Sequence, residues 1–281
     1  MSHRQLKQII TGQATTDGAG VELVRVIGQP ALMDLDPFLL LDTFRSDNPD
    51  DYIAGFPPHP HRGFETVTYL LNGRMRHKDN AGNEGVIEPG GVQWMTAGKG
   101  IIHSEMPEQQ DGMLEGFQLW INLPGSHKMN SPAYQEHDAS QIPLEIREGS
   151  QIRVITGETS QGTVGPVAQP LTDPLYLDVT LNAQSSFTEA LPVGHTAFIY
   201  LVHGDIDLQQ NEESAVTLSR DQLAVLGDGE SISVSSNQSD ARFLLIAGKP
   251  LKENVARGGP FVMNTEAEIR QAFSDYQSGK F

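Results

Sequence analysis

His59-Pro60-His61-Arg62-Gly63-Phe64-Glu65-Thr66-Val67-Thr68-Tyr69-Leu70-Leu71 carries both the signal for the fold and the first half of a site. From Phe64 onward the segment is rich in β-branched and aromatic residues and stops at Asn72-Gly73, the composition and punctuation of a strand. Its opening, His59-Pro60-His61, sets two imidazoles two residues apart. In an extended chain, residues i and i+2 point to one side, so both rings can face one ion. Pro57, Pro58 and Pro60 stiffen this entry and lower the entropy lost in holding the rings.

The same rhythm runs outward along the chain. With 28 glycines and 17 prolines among 281 residues, short apolar runs alternate with turn signals, as in an all-β protein. Asp79–Gly85 (DNAGNEG) reads as a turn between strands at 74–78 and 84–88. Pro89-Gly90-Gly91 turns the chain into a strand at 92–96, and 113–123 (MLEGFQLWINL) is a further strand of mixed faces. The second half continues with strands at 151–156, 175–181, 196–202, 223–226, 231–235 and 242–247. One helix closes the sequence. Thr265-Glu266-Ala267-Glu268 is a capping box, and Ile269, Ala272, Phe273 and Tyr276 follow on one helical face, suited to docking on a barrel.

An internal repeat appears at an offset of 131 residues. Tyr69-Leu70-Leu71-Asn72-Gly73 matches Tyr200-Leu201-Val202-His203-Gly204, and Gly91–Met95 aligns without gaps on Gln222–Leu226. The expected organisation is therefore two tandem β-barrels: residues 1–135, a polar linker at 136–150, and 151–281 including the terminal helix.

His103-Ser104-Glu105 is a second i, i+2 pair, after the glycine-rich Ala97-Gly98-Lys99-Gly100. A histidine pair alone is more often surface decoration than a site. Two such pairs in one barrel bring three imidazoles and a carboxylate within reach of one ion. The chain has no cysteine, so any metal must sit on nitrogen and oxygen; iron(II), zinc, manganese, nickel and copper all suit. Four ligands in a six-coordinate shell leave two positions open for chemistry. Glu65 competes as a carboxylate ligand or as an orienting partner. His77, His127 and His137 lie in polar segments and read as exposed, and His195 and His203 as structural. Phe56, Met75, Trp94 and Phe117 are candidate pocket walls or core residues. At the offset of 131, His59, His61, His103 and Glu105 fall on Ala190, Pro192, Val234 and Ser236, so the second barrel has no equivalent site.

Three blocks resemble the pirins, a branch of the cupin superfamily: Pro58–Leu70, Gln93–Glu105 and Gly259–Thr265. The resemblance spans nearly the whole chain. Asn254 stands where pirins often have proline. The resemblance implies two cupin (jelly-roll) domains with one metal, iron(II) above all, in the first. It implies His59, His61, His103 and Glu105 as ligands, and Glu65 as none. Pirins include quercetin 2,3-dioxygenases, which open a flavonol ring with dioxygen and release carbon monoxide. Others bind transcription factors or metabolic enzymes, so a metal- or redox-sensing regulator is the alternative, and fold does not choose between them. In the enzymatic reading the substrates are a flavonol and dioxygen, and Glu105 is the proton acceptor.

The net charge of −17 argues against nucleic acid and anionic membranes as partners and favours a protein partner with a basic face. The first residues lack the apolar core of a signal peptide, and no run is long enough to span a bilayer, so a cytoplasmic protein is expected.

Overall fold

A computed structural model of the chain describes residues 2–211 and 214–281. It is built from antiparallel strands with one α-helix, Glu266–Gln277, as the composition predicts. Two compact units form. One contains residues 13–139 and 251–281; the other contains residues 1–12 and 140–250.

The first unit pairs a seven-stranded sheet with a four-stranded one. The larger sheet runs Ala133–His137, Val92–Thr96, Phe64–Asn72, Leu114–Asn122, Phe38–Ser46, Val21–Ile27, Gln13–Asp17. The smaller runs Phe56–His61, Ile101–Pro107, Met75–Asp79, Glu84–Ile87. Thr68 and Gln118 of the larger sheet hydrogen-bond Glu105 of the smaller, so the inner faces of the two sheets meet.

The second unit repeats this plan. Its large sheet is centred on Thr196–His203 and Ala241–Gly248, and its small sheet runs Ser186–Ala190, Ser231–Ser236, Asp205–Asn211, Ser214–Ser219. Both sheets have the strand counts of the first unit, and Thr196–His203 lies 131 residues beyond positions 65–72 of the strand Phe64–Asn72. Its interior holds an apolar cluster that includes Phe187, Val234 and Phe243, with the two phenyl rings edge to face at 5.7 Å.

The expected boundaries need correction at both ends. Leu6–Thr11 pairs with Gln222–Leu226 in the second unit, and Arg4 is buried there with its guanidinium on the carbonyls of Pro192, His195, Gly227 and Gly229. The terminal helix, expected on the second barrel, packs on the first. The capping box is formed as read, and Ile269 and Ala272 are buried while Phe273 and Tyr276 stay partly exposed. The tie is polar as well as apolar. Arg62 Nη1 meets Asp275 Oδ2 at 2.9 Å with Phe281 beneath the guanidinium, and Val262 N–H donates to the Arg62 carbonyl at 3.0 Å. Buried Lys128 donates from Nζ to the carbonyls of Gly63 (2.7 Å) and Val262 (3.1 Å). Gly63 is required here: its φ is +90°, and a Cβ would lie 2.0 Å from the Val262 oxygen.

Candidate metal centre

The strands Phe56–His61 and Ile101–Pro107 pair antiparallel with His59 directly opposite His103. Opposed residues project to one side of a sheet, and His61 follows His59 on that side. The three rings converge, with centroids 4.4 Å apart for His59–His103, 4.7 Å for His59–His61 and 4.9 Å for His61–His103. Their ligand atoms lie within 4.8 Å of one another, the one such group of metal-capable side chains among the described residues.

Each ring is tied through Nδ1. His59 Nδ1 lies 2.8 Å from the Pro57 carbonyl, His61 Nδ1 3.4 Å from the Pro260 carbonyl, and His103 Nδ1 3.4 Å from His77 Nδ1. A carbonyl only accepts, so His59 and His61 carry their protons on Nδ1 and present a bare Nε2. Nε2 of His103 is buried without a hydrogen-bond partner. A buried, unpartnered nitrogen among two other imidazoles is suited to a cation as its partner. Burial holds His61 and His103 well below the ordinary histidine pKa, with the neighbouring imidazoles pressing the same way. Neutral rings with free lone pairs are the form that binds metal. The residues present fit a divalent transition ion.

Glu105 stands outside the histidine cluster but lines the same cavity. Its carboxylate accepts from Thr68 Oγ1 at 2.5 Å and from Gln118 Nε2 at 3.3 Å. Glu65 is fully buried on the large sheet, where it accepts from Thr96 Oγ1 at 2.5 Å, and it does not join the cluster.

The cavity measures about 600 Å³. Leu40, Phe44, Phe56, Met75 and Trp120 form apolar walls, and Arg25, Asp42 and Arg257 line it as well. Of the four expected wall residues, Phe56 and Met75 face the cavity; Trp94 and Phe117 are buried in the barrel instead. Trp120, which no local sequence signal marks, lies edge to face with His61 at 5.2 Å and has the Arg257 guanidinium over its ring at 5.1 Å.

One expectation reverses. His77 is not exposed: it is buried at 2%, stacked on Tyr134 at 4.6 Å, and bonded to His103 on one side and Asp79 Oδ2 (3.1 Å) on the other. His77-Lys78-Asp79 is a third i, i+2 pair, on a strand whose residues 75, 77 and 79 all face inward. That alternation was present in the sequence, but polar residues at the inward positions make it look like a loop.

The Pirin family model matches residues 20–121, and the Pirin C-terminal cupin domain model matches residues 176–281. A pirin-like protein of Caulobacter vibrioides is 49% identical, covering 100% of both chains. A candidate quercetin 2,3-dioxygenase of Pseudomonas aeruginosa is 47% identical over 99% of this chain and 98% of its own. The crystal structure of a quercetin 2,3-dioxygenase from Acinetobacter baumannii superposes with a TM-score of 0.90 at 33% identity, covering 100% of this chain and 99% of that one. No described helix is long and apolar enough to cross a membrane.

Proposed function

The chain belongs to the pirin family, and from that premise we propose that it is a metal-dependent dioxygenase acting on flavonols such as quercetin. The observation that carries this reading is the convergence of three imidazoles, two of which, His59 and His61, line a cavity with aromatic and aliphatic walls together with the hydrogen-bonded Glu105 carboxylate. A volume of about 600 Å³ lies within the usual range for small-molecule sites, about 300–1,000 Å³. The likeness to the Acinetobacter enzyme over the full length supports the same chemistry.

His59, His61 and His103 would hold the ion, with Glu105 as the fourth ligand. When bound, an iron(II) ion supplies Lewis acidity to the 3-hydroxyl and 4-carbonyl oxygens of a flavonol and a redox centre for dioxygen. The chain's own residues do the rest. Glu105 accepts the proton of the 3-hydroxyl, and Thr68 and Gln118 orient its carboxylate for that transfer. Phe44, Phe56, Leu40 and Trp120 hold the flat ring system and keep water from it.

The test is oxygen consumption and carbon monoxide release by the iron-loaded protein with quercetin. Stoichiometric uptake of dioxygen with ring opening is the expected result. Fully iron-loaded protein that consumes no oxygen with any flavonol would sink the enzymatic reading.

A further inference from the structure

Two of the three histidines have their tautomer fixed by a carbonyl; the third does not. His103 Nδ1 faces another imidazole nitrogen, His77 Nδ1, at 3.4 Å. Such a pair can share its one proton either way round. If His77 donates, His103 must carry its own proton on Nε2, the nitrogen aimed at the ion, and binding is blocked. If His103 donates, Nε2 is bare. The deciding group lies at the far side of His77.

We infer that Asp79 and His77 form a relay that sets His103 in its metal-binding tautomer. Asp79 Oδ2 lies 3.1 Å from His77 Nε2. An ionised carboxylate only accepts, so His77 must carry its proton on Nε2. His77 Nδ1 is then a bare acceptor and takes the proton of His103 Nδ1–H. The Asp79 carboxylate is itself held in place. Oδ1 accepts from Ala81 N–H and Asn83 N–H, both at 2.9 Å, and Oδ2 from the Asn83 side-chain amide at 2.8 Å. Strand register puts the three residues together, because His103 is paired directly with Asp79, and His77 with Glu105. Each is buried: His77 at 2%, Asp79 at 8%, His103 at 1%. The inference rests on the metal-site reading above but assigns roles to two residues outside the ligand set. Neither touches the cavity, so both are positioning residues.

The variants distinguish a relay from simple packing. Asp79→Asn keeps Oδ1 and its turn bonds but turns the other position into a donor. His77 then has to accept there and donate toward His103, which inverts both tautomers. His77→Phe keeps a ring against Tyr134 and removes both nitrogens. His77→Gln retains an acceptor for His103 and a donor for Asp79. Zinc(II) affinity of the full chain is measured by competition with a chelator. Asp79→Asn and His77→Phe should each bind about 10–100-fold more weakly, the usual loss for a residue that orients a metal ligand, while His77→Gln recovers most of the affinity. The second readout needs no metal. In long-range ¹H–¹⁵N spectra of the metal-free protein, His103, assigned by its loss in His103→Gln, should be protonated on Nδ1 in wild type and on Nε2 in Asp79→Asn. An unchanged His103 tautomer in Asp79→Asn, or equal losses in His77→Gln and His77→Phe, overturns the relay. Wild-type protein that binds no zinc while showing the expected tautomers overturns the metal-site reading and leaves the relay standing.

Discussion

Glu105 and Glu65 are both buried carboxylates of the first barrel, and their surroundings assign them different work. Glu105 lines the cavity and is held by a hydroxyl and an amide; Glu65 is sealed in the large sheet against Thr96. Glu105→Gln should therefore weaken metal binding and nearly abolish flavonol oxidation, since a neutral amide can coordinate through oxygen but cannot take a proton. Glu65→Gln should retain the metal and most of the turnover. Metal content and quercetin-dependent oxygen uptake, measured on both iron-loaded variants, check this; loss of metal from Glu65→Gln alone would reverse the roles. At this scale the sequence was informative where chemistry and spacing coincide. His59, His61 and His103 could be read because two i, i+2 pairs of ligand-type residues, His59/His61 and His103/Glu105, occur in one barrel. His77 and Asp79 could not, because their meaning depends on a register partner, His103, that lies 26 residues away from His77. Trp120 was hidden for a similar reason: which face of its strand looks inward is set by neighbours on both sides.

Among the elements, the terminal helix was legible in itself and illegible in its destination. Its cap and apolar stripe are local, and both are formed. What it docks against is set by distant residues: the apolar cluster around Phe261 and Met263, and Arg62, whose partner Asp275 lies 213 positions further on. Hydrogen bonds from Arg62, Gln271 and Lys280 hold the Asp275 carboxyl down at about 2. A carboxylate with a depressed folded pKa adds stability above its unfolded value, about 3.9, and that contribution disappears as pH falls toward 2. Asp275→Asn should thus lower stability at pH 7, and the difference from wild type should shrink between about pH 4 and pH 2. Denaturant melts across that range check it; a constant difference at every pH would contradict the pairing. Because the same segment supplies the Pro260 carbonyl to His61, the variant should also bind zinc more weakly than wild type.

For the whole molecule, two units of one plan differ in what fills them. At the offset of 131 the four proposed ligands fall on Ala190, Pro192, Val234 and Ser236, but strand register sets Phe187 opposite Val234 where the first unit has His59 opposite His103; neither position carries an imidazole, and the second interior is filled by Phe187, Val234 and Phe243. The full chain should bind one transition ion and no more. Replacing His59, His61 and His103 together should reduce the stoichiometry to zero while circular dichroism stays that of a β-protein; one ion still bound would point to a second site. The repeat itself could be read at an offset of 131 because strand lengths and turn glycines are local features. The exchange of termini could not, since the pairing of Leu6–Thr11 with Gln222–Leu226 leaves no trace in either strand alone.

That exchange also orders events during synthesis. On the ribosome, residues 13–139 emerge well before residues 251–281, which complete their unit. The first barrel to leave the tunnel is the last to be finished. Until residues 260–275 are made, His61 lacks the Pro260 carbonyl and Arg62 lacks Asp275. A nascent chain of 250 residues would hold three histidines in an unlocked arrangement, and the ion would be captured firmly only after translation has passed the second barrel.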